Sequence, residues 1–310
     1  IGSQMSAVLD ELESKGNVKI EKGDNMYMKL GISQIPEIIL DATDRNRTSP
    51  FAFTGNKFEF RAVGGSDNCA TPMTVLNLIV AEQLDQFHAA VTAQIEKGEE
   101  KRLAIVNVLR QYIKESKDIR FEGDGYSDEW VKEAARRKLG NVKTTPRALD
   151  AYLTKKALSI FEKHGVMSHK EVEARNEIRL EAYIKRVQIE ARVIGDLAMN
   201  HIVPTAIAYQ NKLIANANGL AGLGIDNKAV VNTIKQISGH IDIIKTNVHD
   251  MIEARKKANK IGEVKERALA YEDIKEKYFD VIRDSVDKLE LLVDNNDWPL
   301  AKYRELLFLR

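Results

Sequence analysis

Two cations flank a carboxylate in the short segment from Lys57 to Arg61. Lys57, Glu59 and Arg61 occupy alternate positions, with Phe58 and Phe60 between them. This period of two is typical of a β-strand and places the three charged side chains on one face, about 7 Å apart. A carboxylate between cations suits a ligand that carries anionic groups and a hard divalent metal, which prefers oxygen ligands. A solvent-facing strand whose charges pair with one another explains the same spacing, so both interpretations stay open.

Two arginines, Arg45 and Arg47, lie just before this segment, in a run of turn-forming residues that ends at Pro50. A guanidinium group forms two parallel hydrogen bonds to a phosphate or a carboxylate. The pair therefore favours an anion site next to the strand. An ordinary surface turn with solvated arginines is the alternative.

The composition excludes several classes of protein. The 310 residues include 47 basic and 46 acidic side chains, which gives a net charge of +1. This balance argues against binding to nucleic acid or to a membrane surface, because both require an excess of basic charge. No apolar run approaches the ~18 residues of a membrane-spanning helix. The single cysteine, Cys69, fits a reducing compartment, so we expect a cytoplasmic protein.

The elements that must position the charged strand are short. Glycine and proline punctuate residues 1–70, which predicts loops and brief elements there, and the alternation predicts a strand over residues 57–63. Thr71 is a good helix cap and Pro72 suits the first helical position. We therefore expect a helix that begins at Thr71 and ends at Gly98, with an apolar stripe that includes Leu84.

The rest of the chain is predicted to be helical. One long helix is expected from about Ser168 to about Val203, where Pro204 should kink or end it, followed by a small-residue loop over residues 216–224. Over residues 226–293, apolar residues recur at steps of three and four on both sides of Gly262. Two helices with this pattern should pack antiparallel as a hairpin roughly 45 Å long.

The runs Asp44–Gly64 and Phe121–Ser127, together with the helical tail, resemble class III glutamine synthetase, the long bacterial form. The resemblance implies an α+β fold that is predominantly α-helical. The last strands of a catalytic β-sheet would be followed by a helical C-terminal region with a long antiparallel hairpin. The implied regions are the end of the catalytic domain at 1–100, a helical continuation at 101–225, the hairpin at 226–293 and a tail at 294–310.

The resemblance also implies an activity. Such an enzyme is an ATP-dependent glutamate–ammonia ligase that makes glutamine through a γ-glutamyl phosphate intermediate, with Mg²⁺ or Mn²⁺ as the metal. Phosphoryl transfer of this kind depends mainly on positioning and on charge neutralisation by metals and arginines. The family further implies a large ring-type homo-oligomer with active sites between adjacent subunits.

Site residues are carried over one by one from the resemblance. Arg47 matches the catalytic arginine that contacts the transferring phosphate, and Glu59 matches a metal ligand near the nucleotide phosphates. Arg61 matches the arginine that binds substrate glutamate. Lys57 stands where other classes have a nucleotide-binding arginine, so the charge is kept but two-pronged hydrogen bonding is lost. Glu37 is matched to the catalytic glutamate of the flap, although its spacing to Arg47 departs from the other classes.

The resemblance leaves gaps as well. Ala52 stands where other classes have a further active-site arginine. The strands that carry most of the metal carboxylates would lie upstream of Ile1, and Glu59 alone cannot build a magnesium site. We therefore expect these 310 residues by themselves to be inactive.

Two other classes of function were weighed. A non-catalytic helical protein that assembles partners would account for residues 226–293 but leaves residues 44–61 unexplained. A nucleic-acid-binding helical protein is disfavoured by the balanced charge. His164 and His169, five residues apart, are expected to be solvated rather than to form a metal pair.

Overall fold

The computed structural model describes residues 3–14, 27–28, 38–39, 51–53, 57–60, 68–121 and 125–307. The described part is mostly helical with little strand, as the sequence predicts. The chain forms two compact units, Ile1–Asn141 with Ile160–Val166, and Val142–Ser159 with Met167–Arg310. The region boundaries at residues 100, 225 and 293 stay predictions. In the described residues, no helix combines the length and apolar character that crossing a membrane requires.

The first unit contains two short antiparallel strand pairs. β1 (Tyr27–Met28) pairs with β2 (Ile38–Ile39), and β3 (Phe51–Phe53) pairs with β4 (Phe58–Phe60). β4 lies within the strand predicted over residues 57–63, of which residues 61–63 fall outside the described part.

The helices of the first unit are α1 (Ser3–Glu13), α2 (Ala70–Glu96), α3 (Lys101–Glu115) and α4 (Asp128–Arg136), with a 3-10 turn at Lys117–Ile119. Buried side chains of α2 and α3 form a small core that contains Val91, Ala104 and Val108. Arg110 of α3 donates from Nε to the backbone oxygen of Leu12 at 2.9 Å, which ties α1 to α3.

The start of α2 differs from the prediction. The helix begins at Ala70, so Thr71 lies inside its first turn and is not the cap. The Asn68 side chain accepts a hydrogen bond from the Ala70 amide at 2.8 Å, and this Asx turn starts the helix earlier. The end of α2, at Glu96, agrees with the prediction that Gly98 stops the helix. Gly98 has a φ of +93°, which other residues rarely adopt. Leu84 is 63% exposed, so this part of the predicted stripe is not buried.

The second unit begins with short elements and continues with long helices. The short elements are α5 (Thr145–Ala148) and a 3-10 turn at Leu149–Leu153; α6 (Lys155–Lys163) follows, with its last four residues in the first unit. The long helices are α7 (His169–Asp196), α8 (Val203–Gly222), α9 (Lys228–Ala258), α10 (Val264–Ile274) and α11 (Asp280–Leu292). A final short helix, α12, covers Tyr303–Leu307.

Pro204 neither ends nor interrupts the helical course of the chain. A π-helical segment, Leu197–Ile202, connects α7 to α8, and Pro204 sits at the start of α8. The loop predicted over residues 216–224 is wrong, since α8 continues to Gly222 and only Leu223–Gly224 form the turn.

Most of the core belongs to the second unit. α9 turns its apolar stripe inward, with Ile237, Ile244, Val248 and Met251 at most 2% exposed. After a turn at residues 259–263, the chain runs back through α10, a π-helical segment (Lys275–Phe279) and α11, which pack on α9. Tyr271 is fully buried in this core, and its hydroxyl donates to Asn259 Oδ1 at 2.6 Å.

Candidate active-site hairpin

The hairpin of β3 and β4 holds two of the predicted site residues. Its antiparallel register pairs Ala52 with Glu59 and Phe53 with Phe58. Lys57 lies directly before β4, and Glu59 lies in the middle of it. The alternation read from the sequence therefore corresponds to a real strand over Phe58–Phe60.

Lys57 and Glu59 form an ion pair. The Lys57 Nζ atom lies 3.4 Å from Glu59 Oε1, with 65% and 37% of the two side chains exposed. This is the mutual pairing that the spacing had left open. An exposed pair of this kind contributes roughly 0–1 kcal/mol, so it is easily exchanged for another partner. Both charged groups are thus accessible to an anionic ligand or a metal ion from solvent.

Phe58, on the opposite side of the strand from Glu59, does not anchor the strand in a core. Its side chain is 58% exposed. A two-stranded hairpin has too little area to bury one face by itself, since stable burial needs further strands or a helix against it.

Three predicted site residues, Glu37, Arg47 and Arg61, lie outside the described residues. Their assigned roles stay predictions, and only Lys57 and Glu59 have a described geometry.

A second charged cluster, at α2 and the end of α6, was not anticipated. The Glu82 carboxylate accepts a hydrogen bond from Lys163 Nζ at 2.7 Å, and His164 Nε2 lies 2.8 Å from the same oxygen. The prediction of a solvated His164 is therefore wrong, because its side chain is only 17% exposed. The contact could not be read from spacing, since 82 residues separate Glu82 from His164.

The cluster is better described as an ion-pair network than as a metal site. Ligand atoms of Glu82, Asp85 and His164 lie within 4.8 Å of one another, a set that could hold a divalent ion. Lys163, however, already neutralises the Glu82 carboxylate and lies 3.7 Å from Asp85. Its hydrogen bond is the main cause that lowers the pKa of Glu82 from 4.5 to about 2, with Gln86 and His164 contributing.

Two cavities lie within the second unit. One of about 380 Å³ is largely apolar and is bordered by parts of both π-helical segments, with Ile202, Phe279 and Trp298 in its wall. The other, of about 410 Å³, has five charged residues among the ten that line it. π-Helical turns often occur near functional sites, and charged side chains of α11 also border this largely apolar cavity.

Comparison of the sequence with known proteins shows which class of protein this chain resembles. Residues 104–221 match the family described as the glutamine synthetase C-terminal domain. The resemblance drawn from residues 44–64 and 121–127 to the C-terminal part of glutamine synthetases is thereby confirmed.

Particular relatives extend the similarity to almost the whole chain. The chain is 47% identical to a glutamine synthetase of Bacteroides fragilis over 99% of its own length. It is 33% identical to a type-3 glutamine synthetase of Dictyostelium discoideum over 100%, and 29% identical to a glutamine synthetase of Butyrivibrio fibrisolvens over 99%. In each case it spans 43% of the length of the relative.

Proposed function

We propose that this chain is part of an ATP-dependent glutamate–ammonia ligase that makes glutamine through a γ-glutamyl phosphate intermediate. The observation that carries this proposal is the 47% identity to the Bacteroides fragilis glutamine synthetase over 99% of the chain, hairpin included. Because the chain spans 43% of that relative, the activity is proposed for the whole protein.

The exposed Lys57–Glu59 pair supports assigned roles at the hairpin. Glu59 would bind Mg²⁺ or Mn²⁺ next to the ATP phosphates, because carboxylate oxygens are preferred ligands of these ions. Lys57 would contact the nucleotide phosphates as a compact point charge. The 3.4 Å pair between them would open as the metal–nucleotide complex binds, since each group exchanges one weak solvent-exposed partner for a stronger one.

Roles for the remaining three predicted site residues belong to the same proposal. Arg47 would stabilise the transferring phosphate and Arg61 would bind the carboxylate of glutamate, both by two-pronged hydrogen bonding. Glu37 would shield the acyl phosphate from water and help to deprotonate ammonium.

The 310 residues alone are not expected to catalyse the reaction. Glu59 is the only carboxylate in the described part of the hairpin, residues 51–53 and 57–60, and a magnesium site of this kind needs several oxygen ligands. We therefore assign turnover to the whole protein, with further carboxylates outside the described hairpin.

The experiment measures glutamine formation and phosphate release by the whole protein with ATP, glutamate, ammonium and Mg²⁺. Glu59→Gln should lower kcat at least about 100-fold, as loss of a transition-state charge contact does. Glu129→Gln on α4, an exposed glutamate, removes the same charge away from the hairpin and should leave kcat unchanged. Equal rates in all three proteins would refute the assignment of Glu59.

The proposal includes a cytoplasmic, ring-type homo-oligomer that uses glutamate and ammonia. In this arrangement the helices over residues 226–293 would be the class-specific elaboration, so the helical assembly role and the enzymatic role coexist. Deleting residues 226–293 would not test assembly, because it would also remove core residues such as Ile237, Ile244 and Met251 and so disturb folding.

A surface substitution tests assembly better. Leu291 on α11 is 86% exposed, and Leu223, outside residues 226–293, is 76% exposed. Leu291→Lys should shift the sedimentation profile of the whole protein toward smaller species, whereas Leu223→Lys should leave it unchanged. An unchanged profile for Leu291→Lys would argue against a contact at this helix.

A further inference from the structure

The cavity of about 410 Å³ in the second unit has an acidic wall. Four carboxylates line it, those of Asp150, Glu173, Glu177 and Glu263, together with the ammonium group of Lys265. They come from three separate stretches of chain: the 3-10 turn before α6, the first turns of α7, and the start of α10. The packing of these elements therefore concentrates negative charge around one concave space.

Two of these carboxylates have no partner within the part of the chain that the structure describes. Among the residues that the structure describes, Glu173 and Glu177 form no hydrogen bond or ion pair. They stand four positions apart on α7, so their side chains are neighbours on one face of the helix. Like charges at this spacing destabilise a helix by roughly 0.2–0.5 kcal/mol. A bound cation would remove this repulsion.

A buried amide side chain stands between the two glutamates in the sequence. Asn176 is only 3% exposed and lines the same cavity. Its Oδ1 atom has no hydrogen-bond partner among the described residues. A buried polar atom left unpaired costs about 1–3 kcal/mol, and an N–H donor placed in the cavity would satisfy it.

Lys265 shows how the cavity accommodates an ammonium group. Its Nζ atom donates to Asp150 Oδ1 at 2.5 Å and also to the backbone oxygen of Pro146. The wall thus already binds one ammonium group through a carboxylate and a carbonyl. Glu173, Glu177 and Asn176 Oδ1 are similar acceptors in the same wall, and no donor among the described residues contacts them.

No three of the carboxylates that line the cavity come together as ligands of a single metal ion. Within the part of the chain that the structure describes, only Glu82, Asp85 and His164 bring three carboxylate or imidazole ligand atoms within 4.8 Å. Separated carboxylates match separated ammonium groups instead. We propose that this cavity binds a small linear di- or polyamine, with one ammonium between Glu173 and Glu177 and an N–H donated to Asn176 Oδ1.

The test is a calorimetric titration of the full chain with spermidine, repeated with putrescine and with Mg²⁺ at matched ionic strength. Saturable binding of spermidine is expected, with putrescine weaker and Mg²⁺ weakest. Glu177→Gln should weaken spermidine binding roughly two- to fivefold, the range for loss of one accessible charge contact, and Glu173→Gln/Glu177→Gln should weaken it further. Each change keeps the shape of an exposed side chain, so folding should persist by circular dichroism.

Glu181 provides the matched control. It is exposed, lies one helical turn beyond Glu177 on α7, and is not part of the cavity wall. Glu181→Gln should leave the affinity within twofold of the parent protein. The proposal is overturned if spermidine binding does not saturate, if Glu181→Gln weakens binding as much as Glu177→Gln, or if Mg²⁺ binds as tightly as putrescine.

Discussion

Arg147 of α5 donates from Nε to Oε1 of Glu272 on α10 at 3.0 Å, although 125 residues separate them. Glu272 is only 3% exposed, whereas 59% of the Arg147 side chain is exposed. The second carboxylate oxygen, Oε2, has no hydrogen-bond partner among the described residues. Glu272 raises the pKa of the Arg147 guanidinium, so the arginine stays charged. Among the described residues, Arg147 is the one cation hydrogen-bonded to this buried carboxylate.

Arg147→Met should lower the melting temperature of the protein clearly at pH 7, because it leaves a buried carboxylate without its cation. Adding Glu272→Gln to this variant should recover part of the loss, since the unpaired charge is then removed. Thermal unfolding of both single variants and the double variant measures the coupling. Arg283→Met, which breaks the exposed pair with Asp287, is the control and should change little. Equal effects of the two arginine changes would show that burial of Glu272 is unimportant.

The Glu82 carboxylate should make stability depend on acid pH. The hydrogen bond from Lys163 chiefly lowers the Glu82 pKa from 4.5 to about 2 in the folded protein. Its contribution is therefore fully present above pH 4.5 and is lost as the pH falls from 4.5 toward 2. The free energies of unfolding of the parent protein and of Glu82→Gln, measured by urea denaturation, should become equal as the pH falls through this range. Glu96→Gln, an exposed change on the same helix, should follow the parent curve; a constant gap between parent and Glu82→Gln would contradict the assignment.

The cap of α7 should have a measurable effect. The Ser168 hydroxyl accepts a hydrogen bond from the Glu171 amide at 3.4 Å, and the Glu171 carboxylate accepts from the Ser168 amide at 2.8 Å. Ser168→Ala should reduce the free energy of unfolding by about 1 kcal/mol, measured by urea denaturation. Ser159→Ala, within α6 and exposed, should be neutral or slightly stabilising because alanine favours helix. A neutral Ser168→Ala would mean that solvent caps this helix equally well.

Adjacent isoleucines on α9 give a matched test of the core. Ile244 is completely buried, whereas Ile243 is 41% exposed. Ile244→Ala should reduce the free energy of unfolding by about 2–5 kcal/mol, because it leaves a cavity in a packed core. Ile243→Ala should cost much less, since its side chain keeps much of its contact with water. Similar losses at both positions in urea denaturation would argue against this orientation of α9.

Local signals in the sequence predicted much of the helical structure. The pattern of apolar residues on α9 is fixed by the helical period, so the inward positions of Ile237 and Ile244 follow from spacing alone. The start of a helix at about Ser168 and the end of α2 before Gly98 were also as predicted, since helix ends depend on nearby residues. The same signals misplaced the loop at residues 216–224, where α8 continues to Gly222 and Ala217 is buried by packing.

The sequence by itself determined the family resemblance, the helical content and the short strand that contains Glu59, because all three depend on residues close together in the chain. Only the tertiary structure decided that Arg147 meets Glu272, that His164 meets Glu82, and that Glu173 and Glu177 border the same cavity as Asp150. Such contacts join residues far apart in the chain. They depend on how whole helices pack, and no local period or spacing encodes that packing.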